Sequence, residues 1–382
     1  MKIFIINPGM VDDYVYELAT AMSKNNTFVH VFGSNDYKGK NIIFKNFNYY
    51  NYLFDVNNNE NINRFPIIKS LLKGLLYFFM HFYLLYSVYK IKPQIIHFQW
   101  SRIATIDSFF LYFYKKIPIV YTMHNTTLNH GDPSYANFLS IGFKNFLSRV
   151  SCILVHTKYS KRKLSKIFEQ FVYKTEIISH GLLTFKSKNK KNKVLFNFTS
   201  DNIILFFGNI EHYKGLDILI NAMYYLKKDN INLLIVGRGH ISLENLKQLS
   251  KKLGVEKNIF WRSEYIDEQE VPQIFQLAKA IILPHRHIDQ SGVLMSAINF
   301  GIPIIASNIG GFSEIIEDGK NGFLFEKENP ENLAIKIKKF FIEDYYKRMS
   351  NQVAILKKKW KTWDEIAIET IEIYTKVLNK KE

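Results

Sequence analysis

Cysteine is almost missing from this chain. One residue, Cys152, in 382 excludes an internal disulfide and any cysteine-based zinc site, and it fits a reducing cytoplasm. Acidic metal sites are missing too. No Asp-x-Asp follows a strand in a way that would hold a metal, and no His/Asp/Glu cluster has ligand spacing. Asp12-Asp13 reads more simply as a helix N-terminus stabilised by the helix dipole. A signal-peptide core is also lacking. Met1-Lys2 leads into Ile3–Ile6, which is too short for one, has no small-residue cleavage site and reads as a first strand. Short-period repeats and nucleic-acid recognition motifs are absent, so nucleic acid is not an expected partner despite the basic charge.

What is present is a globular composition, 47% apolar and 22% charged. The length favours two domains over one core. The net charge of +17 is unevenly placed: residues 1–190 hold 24 Lys/Arg against 10 Asp/Glu, and the remainder hold 27 against 24. A basic first half suggests an anionic partner there, a membrane or a polyphosphate. A lysine- and asparagine-rich composition throughout is the plainer alternative, although it does not account for the asymmetry.

Short β-branched or aromatic runs at Ile3–Ile6, Val29–Phe32, Ile95–Phe98, Ile119–Met123, Ile153–Val155 and Ile177–Ile178 alternate with helical patterns at Tyr14–Met22, Ala104–Tyr114, Ala136–Val150 and Lys158–Phe168. This is the β-α-β-α order of a parallel sheet covered on both faces. Composition turns polar and basic over Lys186–Asn202, and the pattern then restarts. Ile203–Phe207, Leu233–Val236, Asn258–Trp261, Ile281–Leu283, Ile302–Ala306 and Gly322–Phe325 read as strands. Leu216–Lys227, Leu243–Leu253, Glu331–Phe341, Asp344–Lys358 and Asp364–Leu378 read as helices. The expected class is α/β, two doubly wound Rossmann-like domains, 1–183 and 184–362, facing across a cleft. Ligands of such sheets lie beyond the carboxyl ends of the strands.

One helix stands apart. Ile67–Ile91 is almost wholly apolar and aromatic, interrupted by Lys69, Lys73, His81 and Lys90. Its uncharged run, Gly74 to Tyr89, is shorter than a bilayer span needs. It reads as a core helix, as an interfacial helix docked on a bilayer, or least readily as a span.

Three strand ends of the second half carry phosphate-binding groups. The stretch Leu283–Glu317 is strand, polar loop, helix and strand: His285–Gln290 is followed by Ser291-Gly292 opening a helix over Val293–Phe300, closed by Gly301 and Pro303. Free N–H groups and the dipole at that helix start suit a phosphate, although an ordinary crossover with a Ser cap reads equally well in isolation. After Ile203–Phe207 comes Gly208-Asn209, then Lys214-Gly215 just before a helix, where a lysine reaches a diphosphate as a point charge. Val236-Gly237-Arg238-Gly239 ends another strand in a glycine-rich turn holding an arginine.

With Gly310-Gly311-Phe312-Ser313-Glu314, Asp318-Gly319-Lys320-Asn321-Gly322 and Trp363-Asp364 before the last helix, these motifs resemble the retaining glycosyltransferases of GT-B fold, glycosyltransferase family 4 or group 1, over nearly the whole chain. The resemblance implies acceptor binding in the first domain and nucleotide-sugar binding in the second, with the last helix, 363–382, crossing back onto the first. It implies a diphosphate held by Lys214, Arg238 and the N–H groups at Ser291–Val293, with Gly208, Asn209, Arg286 and Gln290 nearby. No metal would be needed, and no cofactor beyond the nucleoside diphosphate sugar as co-substrate. Glu314 would bond donor-sugar hydroxyls, or serve only as an N-terminal helix carboxylate. Trp261, Arg262 or Tyr265 would recognise the base.

The chain departs from the family where an arginine commonly pairs with the lysine, since Asn209 stands there; Arg238 or Arg286 are candidates to supply that charge. The family's paired glutamates map to Ile288 and Ser296, which leaves ribose recognition open, with Asp289, one position off, or another group as the candidate replacement. In the first half the resemblance sets His124, in Tyr121-Thr122-Met123-His124-Asn125, beside the donor sugar; a structural strand-end histidine is the alternative. His130 is an acceptor-side candidate or an exposed loop residue. Gly9 and Met10 lie where a substrate would approach but lack the usual glycine pair. His97 reads as structural, and Ser179-His180-Gly181 as lining or hinge.

The expected reaction is transfer of a hexose-type sugar from a nucleoside diphosphate donor, UDP-sugar first and GDP-mannose next, to an acceptor hydroxyl with retained configuration. The leaving diphosphate would take the acceptor proton on the same face. The basic half and the Ile67–Ile91 helix favour a lipid-linked saccharide acceptor in cell-surface glycan or polysaccharide assembly, in the cytoplasm and peripheral at the inner face of the plasma membrane, with a soluble saccharide acceptor as the alternative. The rival readings are a GT-B nucleotide-sugar epimerase and a catalytically inactive partner protein lacking the glutamates.

Overall fold

The computed structural model describes residues 1–8, 12–34, 45–53, 66–114, 116–126, 141–185, 196, 198–239, 242–264, 266–342 and 345–380. The chain divides into two units, Met1–Gly181 with Lys361–Glu382, and Leu182–Trp360.

In the first unit the strands are β1 (Lys2–Ile6), β2 (Phe28–Ser34), β3 (Phe47–Leu53), β4 (Ile95–Phe98), β5 (Ile119–Thr122), β6 (Cys152–Val155) and β7 (Thr175–Ile177). They form one sheet in the order β3-β2-β1-β4-β5-β6-β7, parallel at every pairing. Ile3, Phe4 and Ile5 on β1 are all fully buried, as a strand with helices on both faces must be. One face carries α1 (Asp12–Lys24) and, far along the chain, the final helix Trp363–Asn379. Ile366, Ala367 and Tyr374 of that helix are buried with Val15, Leu18 and Met22 of α1. The final helix opens on a capping box, in which Thr362 accepts from the Glu365 N–H and the Glu365 carboxylate accepts from the Thr362 N–H.

The other face carries α2 (Pro66–Ile91), α3 (Ala104–Leu111) and α4 (Phe143–Arg149). Only half of α2 is inside. Tyr77, Met80, His81 and Leu84, at helical spacing, are buried, and the opposite side is open. The His81 imidazole that interrupts its apolar run points inward. His81 Nε2 and the Tyr77 hydroxyl meet Asp107 Oδ1 at 3.1 and 2.7 Å, and Ser101 donates to Oδ2 at 2.6 Å.

The second unit holds β8 (Ile203–Phe207), β9 (Asn232–Val236), β10 (Ile259–Arg262), β11 (Ala280–Leu283), β12 (Ile304–Ser307) and β13 (Gly322–Phe325) in the parallel order β10-β9-β8-β11-β12-β13. Strand order reverses between β8 and β11, so the loops leaving their carboxyl ends part and open a crevice between them.

Several limits shift. The expected helix Ala104–Tyr114 is α-helical only to Leu111 and tightens to a 3₁₀ turn over Tyr112–Tyr114. The Ala136–Val150 helix is described only as Phe143–Arg149. β3 was not anticipated. Its sequence, FNYYNYL, mixes Asn and Tyr and has no apolar run, and it lies at the sheet edge.

Candidate functional site

The crevice of the second unit is built by the two loops that part there. Leaving β8, the chain turns at Gly208 (φ 102), makes a 3₁₀ turn over His212–Lys214 and enters the helix Leu216–Tyr225 through Gly215 (φ 68). Gly208 is required by its positive φ, and Gly215 by its positive φ and by close approach to backbone. A Cβ on Gly208 would lie 3.0 Å from Lys214 Nζ, and one on Gly215 would lie 2.0 Å from the Pro284 carbonyl oxygen in the loop after β11.

Lys214 is 8% exposed and makes no side-chain hydrogen bond or ion pair with the described residues. Burial pulls its ammonium down to about pKa 8, only partly opposed by Glu211. A desolvated cation without a carboxylate in contact is a poor structural element and a good anion site. Beside it, His285 is 3% exposed, and burial together with the Lys214 charge holds it well below the usual imidazole range. Its Nδ1 has no hydrogen-bond partner among the described residues.

From the other side comes the helix Gly292–Phe300. The Ser291 hydroxyl accepts from the Leu294 N–H at 3.2 Å, which leaves the Gly292 and Val293 N–H groups without an intrahelical acceptor. Lys214 and this helix start thus flank the same switch point, both of positive character. Asp289 is fully buried in the loop, and Gln290 Oε1 is buried without a partner among the described residues. Ser296, where the family has a glutamate, donates to the Gly292 carbonyl at 2.9 Å; Ile288 is 7% exposed and packs in the core.

Arg286 occupies a different position from a free phosphate ligand. Its guanidinium holds Asp217 at 2.9 and 2.6 Å, Glu328 at 3.0 Å and the His212 carbonyl at 2.7 Å. Asp217 is held below the usual carboxylate range: Arg286 outweighs the opposing burial. Arg286 therefore fastens the loop after β11 to the turn that carries Lys214. Arg238 and Asn209 are exposed at the ends of β9 and β8. Glu314 is exposed on the one-turn helix Phe312–Ile315, after Gly310-Gly311. Of the base candidates, Trp261 packs partly buried against the core, and Arg262 is bound to Glu264 at 3.0 Å and Glu270 at 2.6 Å. Tyr265, Gly9, Met10 and His130 lie outside the described residues.

In the first unit His124 is 8% exposed at the end of β5, and it belongs to a cluster that its own segment did not reveal. His156 donates from Nδ1 to the Ile178 carbonyl at 3.1 Å, and its Nε2 lies 3.0 Å from His124 Nδ1. Burial pulls His156 down to about pKa 3 and His124 well below the usual range, so both are neutral. A carbonyl can only accept, so the His156 proton is on Nδ1 and its Nε2 accepts from His124 Nδ1–H. His124 Nε2 is left as an acceptor, 3.2 Å from the Gln99 side-chain amide. The Gln99 atom facing it is Oε1, and with the amide O and N exchanged the NH₂ donates to this nitrogen. Tyr14 packs on His124, His156 and His180 at 4.9, 5.2 and 5.1 Å between ring centres. His97, read as structural, bonds Thr122 and the Tyr374 hydroxyl at 2.7 and 2.5 Å.

Sequence reasoning missed His156, Gln99 and His285. A signal existed for the first: His97, His124, His156 and His180 stand at or just past the ends of four consecutive parallel strands. Among the described residues no group of three His, Cys, Asp or Glu is placed to hold a metal ion.

Two doubly wound parallel sheets, each in its own unit, define a GT-B fold. Solved structures agree. The likeness to Anabaena Alr3699/HepE, solved in complex with UDP and glucose, has a TM-score of 0.75 at 15% identity over 98% of this chain and 100% of that one. Sucrose-phosphate synthase from Thermosynechococcus elongatus matches with a TM-score of 0.71 at 15% identity, over the whole of both chains.

The family models place the chain more closely: "Glycosyltransferase Family 4" matches residues 11–182 and "Glycosyl transferases group 1" matches residues 187–355, and the chain belongs to this family. Its relatives include glycosyltransferase MJ1607 of Methanocaldococcus jannaschii, 24% identical over 68% of this chain and 69% of that one. D-inositol 3-phosphate glycosyltransferase of Streptomyces avermitilis is 22% identical over 68% of this chain and 60% of its own length.

Proposed function

We propose that this glycosyltransferase moves a hexose-type sugar from a nucleoside diphosphate donor, a UDP-sugar before GDP-mannose, to an acceptor hydroxyl with retained anomeric configuration. The observation that carries this reading is Lys214, buried, cationic and without a carboxylate in contact, at a switch point that also receives the start of the helix Gly292–Phe300. Lys214 and the Gly292 and Val293 N–H groups would hold the diphosphate and take up the charge that develops as it leaves. That is the work a divalent ion does elsewhere, so the reaction is proposed to be metal-independent. The departing oxygen would accept the proton of the incoming hydroxyl on the same face, with positioning in place of a covalent nucleophile. His124 would accept a hydrogen bond at Nε2 from a sugar hydroxyl, displacing Gln99.

UDP is favoured because solved structures of like fold contain UDP or UDP-glucose. Buried Asp289 is proposed to take over from the missing glutamates; Ser296 is turned to its own helix backbone and does not replace them. The acceptor is proposed to be a lipid-linked saccharide of cell-surface glycan assembly, met in the cytoplasm at the inner face of the plasma membrane.

The test is a screen of UDP-, GDP- and ADP-sugars. A true donor at 100 times its dissociation constant adds about 2.7 kcal/mol to stability. The product linkage is then read by NMR for its anomeric configuration. An isomerised donor sugar formed without acceptor would show an epimerase, and absence of any nucleotide binding would show an inactive partner protein.

A further inference from the structure

We infer that α2 and α3 together form a docking face for an anionic lipid surface, into which their aromatic side chains insert without crossing it. This deepens the acceptor side of the proposed function, but it rests on separate residues and is tested without any donor.

Among the described residues none covers the outer side of α2. Among the described residues Leu71–Ile91 is the one helix long and apolar enough to cross a membrane, yet only 28% of it is buried. A core helix would be mostly inside. Leu71, Leu75, Phe79, Phe82, Tyr86 and Tyr89 are between 50% and 80% exposed. The patch continues onto the next helix. Phe82 meets Phe110 at 5.3 Å between ring centres, Phe78 meets Phe109 at 6.4 Å, and Phe109 meets Phe113 at 5.5 Å. Phe109, Tyr112 and Phe113 are themselves more than half exposed. An apolar area spread over two packed elements is more than the scattered exposed leucine or phenylalanine of an ordinary surface.

Charge selects the occupant. Residues 66–150 hold nine Lys/Arg, no Glu and two Asp, at 107 and 132. Asp107 is fully buried under the patch, and residue 132 lies outside the described residues. Lys90, Lys92, Lys116, Lys144 and Arg149 are exposed, and none of them makes an ion pair with the described residues. Arg149 lies over the Tyr112 ring at 5.6 Å. Rings with amphipathic tips amid cations on long aliphatic stems match the headgroup boundary of an anionic bilayer. A second copy of this chain would bring one basic rim against another.

The packing also sets the depth. Tyr77, Met80, His81 and Leu84 are built into the core of the first unit, and His81 meets Asp107. A spanning helix would have to withdraw them, whereas an interfacial one keeps them in place.

Flotation of the full chain with vesicles of phosphatidylcholine, with or without about a third phosphatidylglycerol, tests this. The chain should float with the anionic vesicles and lose binding as salt rises. Phe79→Ser with Phe82→Ser and Phe113→Ser should weaken binding about tenfold or more while the melting temperature holds, since all three side chains are exposed. Lys90→Glu with Lys92→Glu should weaken binding and flatten its salt dependence. A Phe79→Trp variant should be quenched by brominated lipid. Equal flotation of the triple-serine variant, or no flotation of the parent chain, overturns the inference. So does a lipid-free dimer that the serine variant dissolves, or a membrane fraction that resists alkaline extraction as a span does. Failure of the transfer reaction would instead leave nucleotide-sugar binding absent while flotation persists.

Discussion

The two units bury ionisable groups in opposite ways. In the second unit a single lysine is desolvated and left cationic beside unpaired amides, and its burial raises the worth of any anion that arrives. In the first unit four histidines are desolvated and neutral, and their nitrogens bond one another, a carbonyl and nearby hydroxyls. Charge left over suits an incoming anion, whereas the hydrogen bonds of His156 to His124 and to the Ile178 carbonyl hold the His124 ring in one orientation. The same sheet architecture thus carries an electrostatic device in one half and a positioning device in the other.

The sharpest way to break this comparison is to remove the charge. Lys214→Ala should lower turnover about 100-fold or more, because the group acts where charge develops on the leaving diphosphate. Steady-state kinetics with any accepted donor decides it, and a loss below about threefold would mean that the diphosphate is held elsewhere.

Next comes the histidine frame. His156→Ala removes the acceptor that keeps the His124 proton on Nδ1 and should cost about 10- to 100-fold in kcat with little change in KM. His156→Gln, which can still accept, should recover part of the loss, and a merely structural role would show no such rescue.

The two regions should also diverge with pH. Lys214 in the folded chain titrates near 8, so diphosphate affinity should fall as pH passes that value, by about tenfold at about pH 9. The sign for stability is reversed. The unfolded state binds the proton more tightly, so stability rises with pH through the same window. For His97, His156 and His180 the folded values, about 3, 3 and 4, lie below the ordinary 6.5, so the unfolded state binds more protons across that interval. Stability should therefore be lost as pH falls below 6.5, by roughly 1 kcal/mol or more per pH unit for the cluster as a whole. Denaturant melts across pH check it; a flat profile down to about pH 4 would show that these rings are not buried neutral.

Arg286→Ala should show the smallest effect. Its partners are partly exposed, so the pairs are worth about 1 kcal/mol or less in stability, with donor binding weakened severalfold as the Lys214 turn loosens. An effect as large as that of Lys214→Ala would place Arg286 on the diphosphate itself.

The fold was largely legible in the chain because parallel strands covered on both faces must be apolar without interruption, as Ile3–Ile6 and Ile203–Phe207 are. The edge strand Phe47–Leu53 escaped because pairing on one side only does not demand such a run. In the second unit the groups proposed to hold phosphate stand in the loops that leave β8 and β11, Gly208 directly after its strand and Lys214 and Ser291 at the following helix starts, where local pattern points to them. Partners distant in sequence were not. Nothing near Arg286 indicates that Asp217, 69 residues away, would hold its guanidinium, and the His124–His156 pair spans 32 residues. Side-chain pairing across strand ends is tertiary information that local pattern does not carry.

The most direct measurement is calorimetric titration of the full chain with UDP in the presence of chelator, repeated with Lys214→Ala. Binding should persist without divalent ion, fall steeply for the variant and weaken above about pH 8 in the parent chain alone. Binding that returns only with magnesium, or that Lys214→Ala leaves unchanged, would contradict a diphosphate site built from a buried lysine and free amides.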